Sequence, residues 1–190
     1  MKLGELKQYV MQMCEDYASP PSGYDEEASS FNFTDDEDYE SKLIVAINGV
    51  FSEISAVLPL IKTTSVTPIA GEIALPALVK QVKKCEVCGQ SVKFILSDDI
   101  LKFAKSYPMV ELTYQKIPTM YFSSTPNATV LEYDDEVCGV AVYGVCADLL
   151  KISGDYEIFE AKYQSRLARL YKPTKIQFVN LHERGRNPWR

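Results

Sequence analysis

Apolar residues recur at helical spacing towards both ends of the chain, and in short β-branched runs through its middle. Leu3, Leu6, Val10, Met13 and Tyr17 fall three and four apart, one stripe of an amphipathic helix over 2–17. The following ASPPSGYDEEASSFNF mixes a proline pair, glycine, serines and acids without a period, which predicts an exposed loop suited to contacts. Thr34 with Glu37 has the form of a capping box, and Asp35, Asp36 and Asp38 add negative charge at the positive end of a helix dipole. A second helix over 35–58 follows. Leu43, Ile44, Ile47, Val50, Phe51, Ile54, Val57 and Leu58 give it a wide apolar face, and Pro59 marks its end.

The period then changes. SVTPIAGEIALP, VKFIL, MVELTY and TMYFSS are short β-branched or aromatic runs separated by Pro, Gly and Asp, predicting a small antiparallel β-region over 63–122. Segment 76–88 reads as strand or turn, and 98–105 as strand or one helical turn. Asp134, Asp135 and Glu136 then open VCGVAVYGVCADLLKI, apolar on nearly every side, which predicts a buried central helix over 134–152. Its small residues Gly139, Ala141, Gly144 and Ala147 permit close approach of another element. Ser153 and Gly154 break the run, Asp155 is a plausible N-cap, and Tyr156, Phe159, Tyr163, Leu167 and Leu170 give a last helix over 155–171.

The expected fold class is therefore α+β: a helical-bundle body, residues 1–171, with a small antiparallel β-region inserted between N-terminal and C-terminal helices, and an extended C-terminal arm over 172–190.

Composition narrows the function. A chain of 190 residues with 46% hydrophobic and 24% charged residues is that of one ordinary globular domain. No apolar run approaches the ~20 residues needed to cross a bilayer, and MKLGELKQYV carries charges where a signal peptide needs an apolar stretch. Five cysteines without such a signal predict reduced thiols in a cytoplasm. The net charge of −6 opposes a surface that grips nucleic acid throughout. Charge is also segregated. No basic residue lies between Lys7 and Lys42, where Asp25, Glu26, Glu27, Asp35, Asp36 and Glu37 read first as a solvated loop and otherwise as an acidic surface that repels a polyanion, whereas the arm is basic.

Four features bear on chemistry. Cys85 and Cys88 form CxxC followed by Gly89, half of a zinc ribbon or a redox pair. Cys138 and Cys146 cannot together complete it, because eight residues of helix separate them by ~12 Å, so Cys14 or His182 would have to contribute. Two ordinary thiols near a strand is the preferred reading. His182 is the single histidine and no GxSxG, GxGxxG or phosphate loop occurs, which removes the common nucleophilic and nucleotide-binding chemistries. Asp98 with Asp99, and Asp134 with Asp135 and Glu136, are read as a turn and a helix start before they are read as ligands of a hard cation. The arm, YKPTKIQFVNLHERGRNPWR, is richer in large apolar side chains than a plain disordered tail. Its nineteen residues after Tyr171 span ~60 Å when extended, enough to reach a neighbouring subunit. KIQFV has the character of an added strand, Trp189 of a pocket anchor and the arginines of carboxylate partners; the alternative is that the arm folds back on its own domain.

This order of helices, β-region, long later helices and basic arm resembles the head-to-tail adaptor proteins of tailed bacteriophages, including the tail tubular A type. The stretch EYDDEVCGVAVYGVCADLLKISGDYEIFEAKYQSRLARLY carries the likeness most closely, with an Ala- and aromatic-rich helix, an Asp and a second amphipathic helix. The resemblance implies a structural virion protein of the neck, assembled in the host cytoplasm into a closed ring of about twelve copies. That ring joins portal protein to tail or nozzle proteins and continues the channel through which DNA passes without sequence-specific binding. It implies that Lys175, Ile176, Phe178, Leu181, Arg184, Arg186 and Trp189 form a portal-binding arm. No enzyme activity, cofactor, metal or membrane is expected. The alternatives are a small zinc-binding regulatory or nucleic-acid-binding protein using Cys85 and Cys88, and a carboxylate metal enzyme using Asp134 and Asp135.

Overall fold

A computed structural model describes residues 1–18, 38–151 and 156–170. In chain order these are helix α1 (Leu3–Ala18), α2 (Tyr39–Val57), strands β1 (Leu60–Val66), β2 (Glu72–Ala74), β3 (Val79–Val87), β4 (Gln90–Ser91), β5 (Phe94–Ser97), β6 (Ile100–Phe103) and β7 (Val110–Lys116), then α3 (Asp135–Leu150) and α4 (Tyr156–Leu170). Ala18, the first residue of the predicted loop, ends α1; the rest of that loop, the capping box at Thr34 and Glu37, the break at Ser153–Gly154 with its cap Asp155, and the arm lie outside the described residues.

The class is α+β, but the body is not a helical bundle carrying a small β-insert. Strands dominate the middle of the chain, in two antiparallel sheets: one four-stranded, ordered β1-β7-β3-β4, and one three-stranded, ordered β2-β6-β5. The sheets have a core of their own, in which Cys85, Val110, Leu112 and Tyr114 of the larger meet Ile73 and Leu101 of the smaller. Part of the expectation fails in the other direction: TMYFSS is not a strand but an irregular connection running towards α3.

Bulges obscure the strand period of the larger sheet. β7 pairs with β1 in one uninterrupted register from Leu60↔Lys116 to Val66↔Val110. Its pairing with β3 shifts twice, between Val79 and Gln81 and between Val82 and Lys84. Each shift inserts a residue, so the residues packed inward, Val79, Val82 and Cys85, recur every third position rather than every second. Period three imitates a helix.

The helices form one layer around α3. Val137, Cys138, Ala141, Val145 and Cys146 are buried on different sides of it, against Leu6 and Val10 of α1, Ile47, Val50 and Ile54 of α2, and Phe159, Tyr163 and Leu167 of α4. Asp134 caps α3, its carboxylate accepting from the Val137 N–H at 2.9 Å. The start of α1 is clamped by the segment ahead of α3: the Leu3 N–H donates to the Thr129 carbonyl and the Gly4 N–H to the Asn127 carbonyl, both at 2.9 Å. A Cβ on Gly4 would lie 2.9 Å from Asn127 Cβ, so glycine is what permits that approach.

Polar groups stitch the sheet lobe to the helical layer. Asn48 of α2 reads the backbone of Tyr121 in both directions, its amide donating to the carbonyl at 2.8 Å and its Oδ1 accepting from the N–H at 2.9 Å. Phe51 stacks on Tyr133 with ring centres 5.5 Å apart. At the end of β7, Lys116 pairs with Glu132, whose other oxygen accepts the Thr119 N–H at 2.9 Å. Partial burial pushes the Glu132 carboxyl up, but the Lys116 ammonium and the Thr119 N–H outweigh it and hold the group below the ordinary carboxylate range. A depressed carboxyl stabilises the fold above its unfolded value and loses that contribution as pH falls through the folded one. Glu132→Gln is therefore expected to cost about 1–3 kcal/mol near neutral pH. Thermal melts of both proteins should converge once the pH drops below the carboxylate range.

Candidate functional site

The surfaces that sequence reasoning selects fall outside the described fold. The arm residues Lys175, Ile176, Phe178, Leu181, Arg184, Arg186 and Trp189 and the acidic residues Asp25, Glu26, Glu27, Asp35, Asp36 and Glu37 are all outside the described residues, as is His182.

The CxxC proves to be a hairpin turn. Val87 pairs with Gln90, and the two residues between them have positive φ, 51° at Cys88 and 76° at Gly89. This is the geometry of a two-residue turn whose twist matches that of antiparallel strands. Cys85 is buried in the sheet core and its thiol is pushed up to about 11 by that burial, so it keeps its proton, whereas Cys88 is exposed at the tip. Of the other thiols, Cys138 donates to the Tyr133 carbonyl at 3.6 Å and Cys146 to the Val10 carbonyl at 3.8 Å. Cys14 lies in hydrogen-bond contact with Cys146, and that contact together with burial pushes the Cys146 thiol up. Among the described residues no group of three His, Cys, Asp or Glu side chains could hold a metal ion. Of the paired acids, Asp98 and Asp99 form the turn between β5 and β6, and Asp134 and Asp135 are engaged by Val137 and the Met1 amine.

The described fold also presents grooves and an open sheet edge. An apolar groove of about 610 Å³ runs between α2 and α3, floored by Val45, Ala46, Gly49 and Leu149 and bordered by Asp38, Lys42 and Asp148. Val45 is 70% exposed, off the stripe that packs α2. An apolar residue off the buried face is the signal that could have revealed this groove. A second groove, of about 370 Å³, lies between the start of α3 and the end of α4. Asp135 and Glu136 border it on one side and Arg166 and Arg169 on the other, and Arg166 stacks over the Tyr143 ring at 4.3 Å. A smaller recess of about 160 Å³ carries Glu53, Asp148 and Glu160. There the Tyr163 hydroxyl donates to Glu53 at 3.3 Å, and burial raises the Asp148 carboxyl above its ordinary value. A second apolar surface is the open side of β5, where Ile95 and Leu96 are 71% and 51% exposed. Among the described residues no helix is long and apolar enough to cross a membrane.

No protein-family model matches the chain, and no curated protein matches it.

Proposed function

We propose that the chain is a structural virion protein of the head-to-tail adaptor type, acting by binding and not by catalysis. Copies pack side by side into a ring of about twelve, the symmetry that lets one contact repeat until it closes. The ring joins portal to tail, its acidic surfaces keep passing DNA from adhering, and the arm over 172–190 grips the portal.

The observation that carries this reading is the apolar groove between α2 and α3, floored by Val45 and Leu149, on the same layer that the arm continues from. Apolar surface of that kind gains free energy when a neighbour removes it from water. The order of parts in the sequence supports it further: helices from both ends of the chain meet in one layer, and a sheet lobe interrupts them.

Removing residues 173–190 is expected to leave the body folded, with unchanged helical circular dichroism, and to abolish co-sedimentation with portal rings. Undiminished co-assembly of the truncated protein would sink the arm assignment. A full-length chain that binds no portal ring and forms no ring of its own would sink the adaptor reading as a whole.

A further inference from the structure

Among the described residues four strands end the two sheets, and they are not equally protected. An edge strand exposes unpaired backbone N–H and C=O groups, and proteins guard such edges with charge, proline, bulges or shortness. β1 carries Lys62 in its middle, β2 is three residues long and begins with Glu72, and β4 has two residues. β5 reads Phe94-Ile95-Leu96-Ser97, with neither charge nor proline, and its register with β6 is uninterrupted. Ile95 is 71% and Leu96 51% exposed. Charges lie only at its ends. Lys93 precedes it, Asp98 and Asp99 form the turn that follows, and all three are exposed.

That distribution selects the occupant. Two copies meeting in parallel would set Lys93 against Lys93 and the aspartates against each other. A two-fold axis perpendicular to the sheet reverses one strand, so each Lys93 comes beside the Asp98–Asp99 turn of the other copy, twice over. We propose that β5 is a homotypic docking edge, at which two copies of this chain pair antiparallel about a two-fold axis through Ile95.

In this register Ile95 opposes its own copy, Phe94 opposes Leu96 of the second copy, and Lys93 opposes Ser97 with Asp99 on the diagonal. Opposed and diagonal neighbours of an antiparallel pair are the ones whose side chains interact. The open backbone groups of both strands find partners, and the three-stranded sheet becomes continuous across the two copies. Such strand addition takes its affinity from main-chain hydrogen bonds and its specificity from side chains. A two-fold contact closes on itself, so it is distinct from the side-by-side contact of the ring proposed above and cannot by itself produce one. It holds independently of that reading.

Analytical ultracentrifugation of the full-length chain across a concentration series tests it. A dimer is expected to be populated by about 100 µM, the range of a small interface. Ile95→Lys, which places like charges across the axis, is expected to weaken association at least about tenfold, and Lys93→Asp to weaken it more at low than at high salt. Adding Asp98→Lys and Asp99→Lys to Lys93→Asp inverts both ends and is expected to restore the dimer. All these positions are exposed, and circular dichroism checks that each variant is folded. Lys62→Glu on β1 serves as the control edge and is expected to change nothing. A wild-type chain that stays monomeric throughout, or a dimer indifferent to both Ile95→Lys and Lys93→Asp, would overturn the proposal. Retained binding of portal rings by the Ile95→Lys monomer separates this edge from the arm.

Discussion

Phe159→Ala is expected to lower the stability of the fold by about 3–5 kcal/mol, the usual cost of emptying a fully buried aromatic site. α4 presents only Phe159, Tyr163 and Leu167 as buried side chains, and Phe159 is wholly inaccessible. Tyr156 and Leu170 add partly buried contacts at its ends and Ile158 is exposed, while the rest of α4 is mostly polar, with Glu160 bound to Gln164 at 2.8 Å and Lys162 over the Phe159 and Tyr143 rings. One missing ring therefore removes much of what fastens this helix to α3. Since a domain is stable by only about 5–15 kcal/mol, the variant should show a sharply lower urea midpoint. It should also show early loss of amide-exchange protection in α4. A change below about 1 kcal/mol would mean that α4 is held elsewhere.

Gly144→Val is expected to be about as damaging, by the opposite route. A Cβ at Gly144 would lie 3.0 Å from Tyr163 Cε2 and 3.0 Å from Val50 Cγ1. Both neighbours are buried, so neither has room to swing away. Overpacking of this kind costs about 1–3 kcal/mol or more, and a branched side chain adds two methyls beyond the Cβ. α2 and α4 would be pushed off α3 together. Gly139 is the internal control: a Cβ there meets nothing within 4 Å. Gly139→Ala is expected to be neutral or slightly stabilising, since alanine is the better helix former. Parallel thermal melts of the two variants would distinguish a packing role from mere helix propensity.

The contrast between those two glycines marks the limit of what the sequence conveys. That small residues on α3 allow close approach follows from VCGVAVYGVCADLL. Which of them is closely approached depends on where α2 and α4 cross, and no local pattern encodes that. The four helices are legible because each keeps a regular apolar stripe or, for α3, apolar character all round. The sheets are less so, because β3 spaces its inward residues by three through two bulges and β2 and β4 are too short to show alternation. Asn48 and Glu132 look like surface residues in sequence. Their importance comes from backbone groups far along the chain, at Tyr121 and Thr119, which only the fold brings near. For the candidate site the division is sharper. The arm and the acidic segment are conspicuous by composition, whereas the groove at Val45 and Leu149 joins two elements distant in sequence. The Cys85–Cys88 pair, whose spacing is that of metal ligands, spans a strand end and its turn, and that placement depends on the register of β3 with β4.

The way the helical layer is closed bears on how the chain is made. The sheet lobe is one continuous stretch, complete when β7 leaves the ribosome, whereas α1 and α2 await α3 and the Asn127–Leu131 segment that clamps residues 1–4. At synthesis rates of ~5–20 residues per second, the interval between the end of α2 and the end of α3 is roughly 5–20 s. Through that interval the faces carrying Leu6, Val10, Ile47 and Ile54 have no permanent cover. Nascent chains stalled once β7, but not α3, has cleared the ribosome should accordingly bind hydrophobic-patch chaperones through their first two helices while already containing a protease-resistant sheet, and chains from which Leu170 has also emerged should release them.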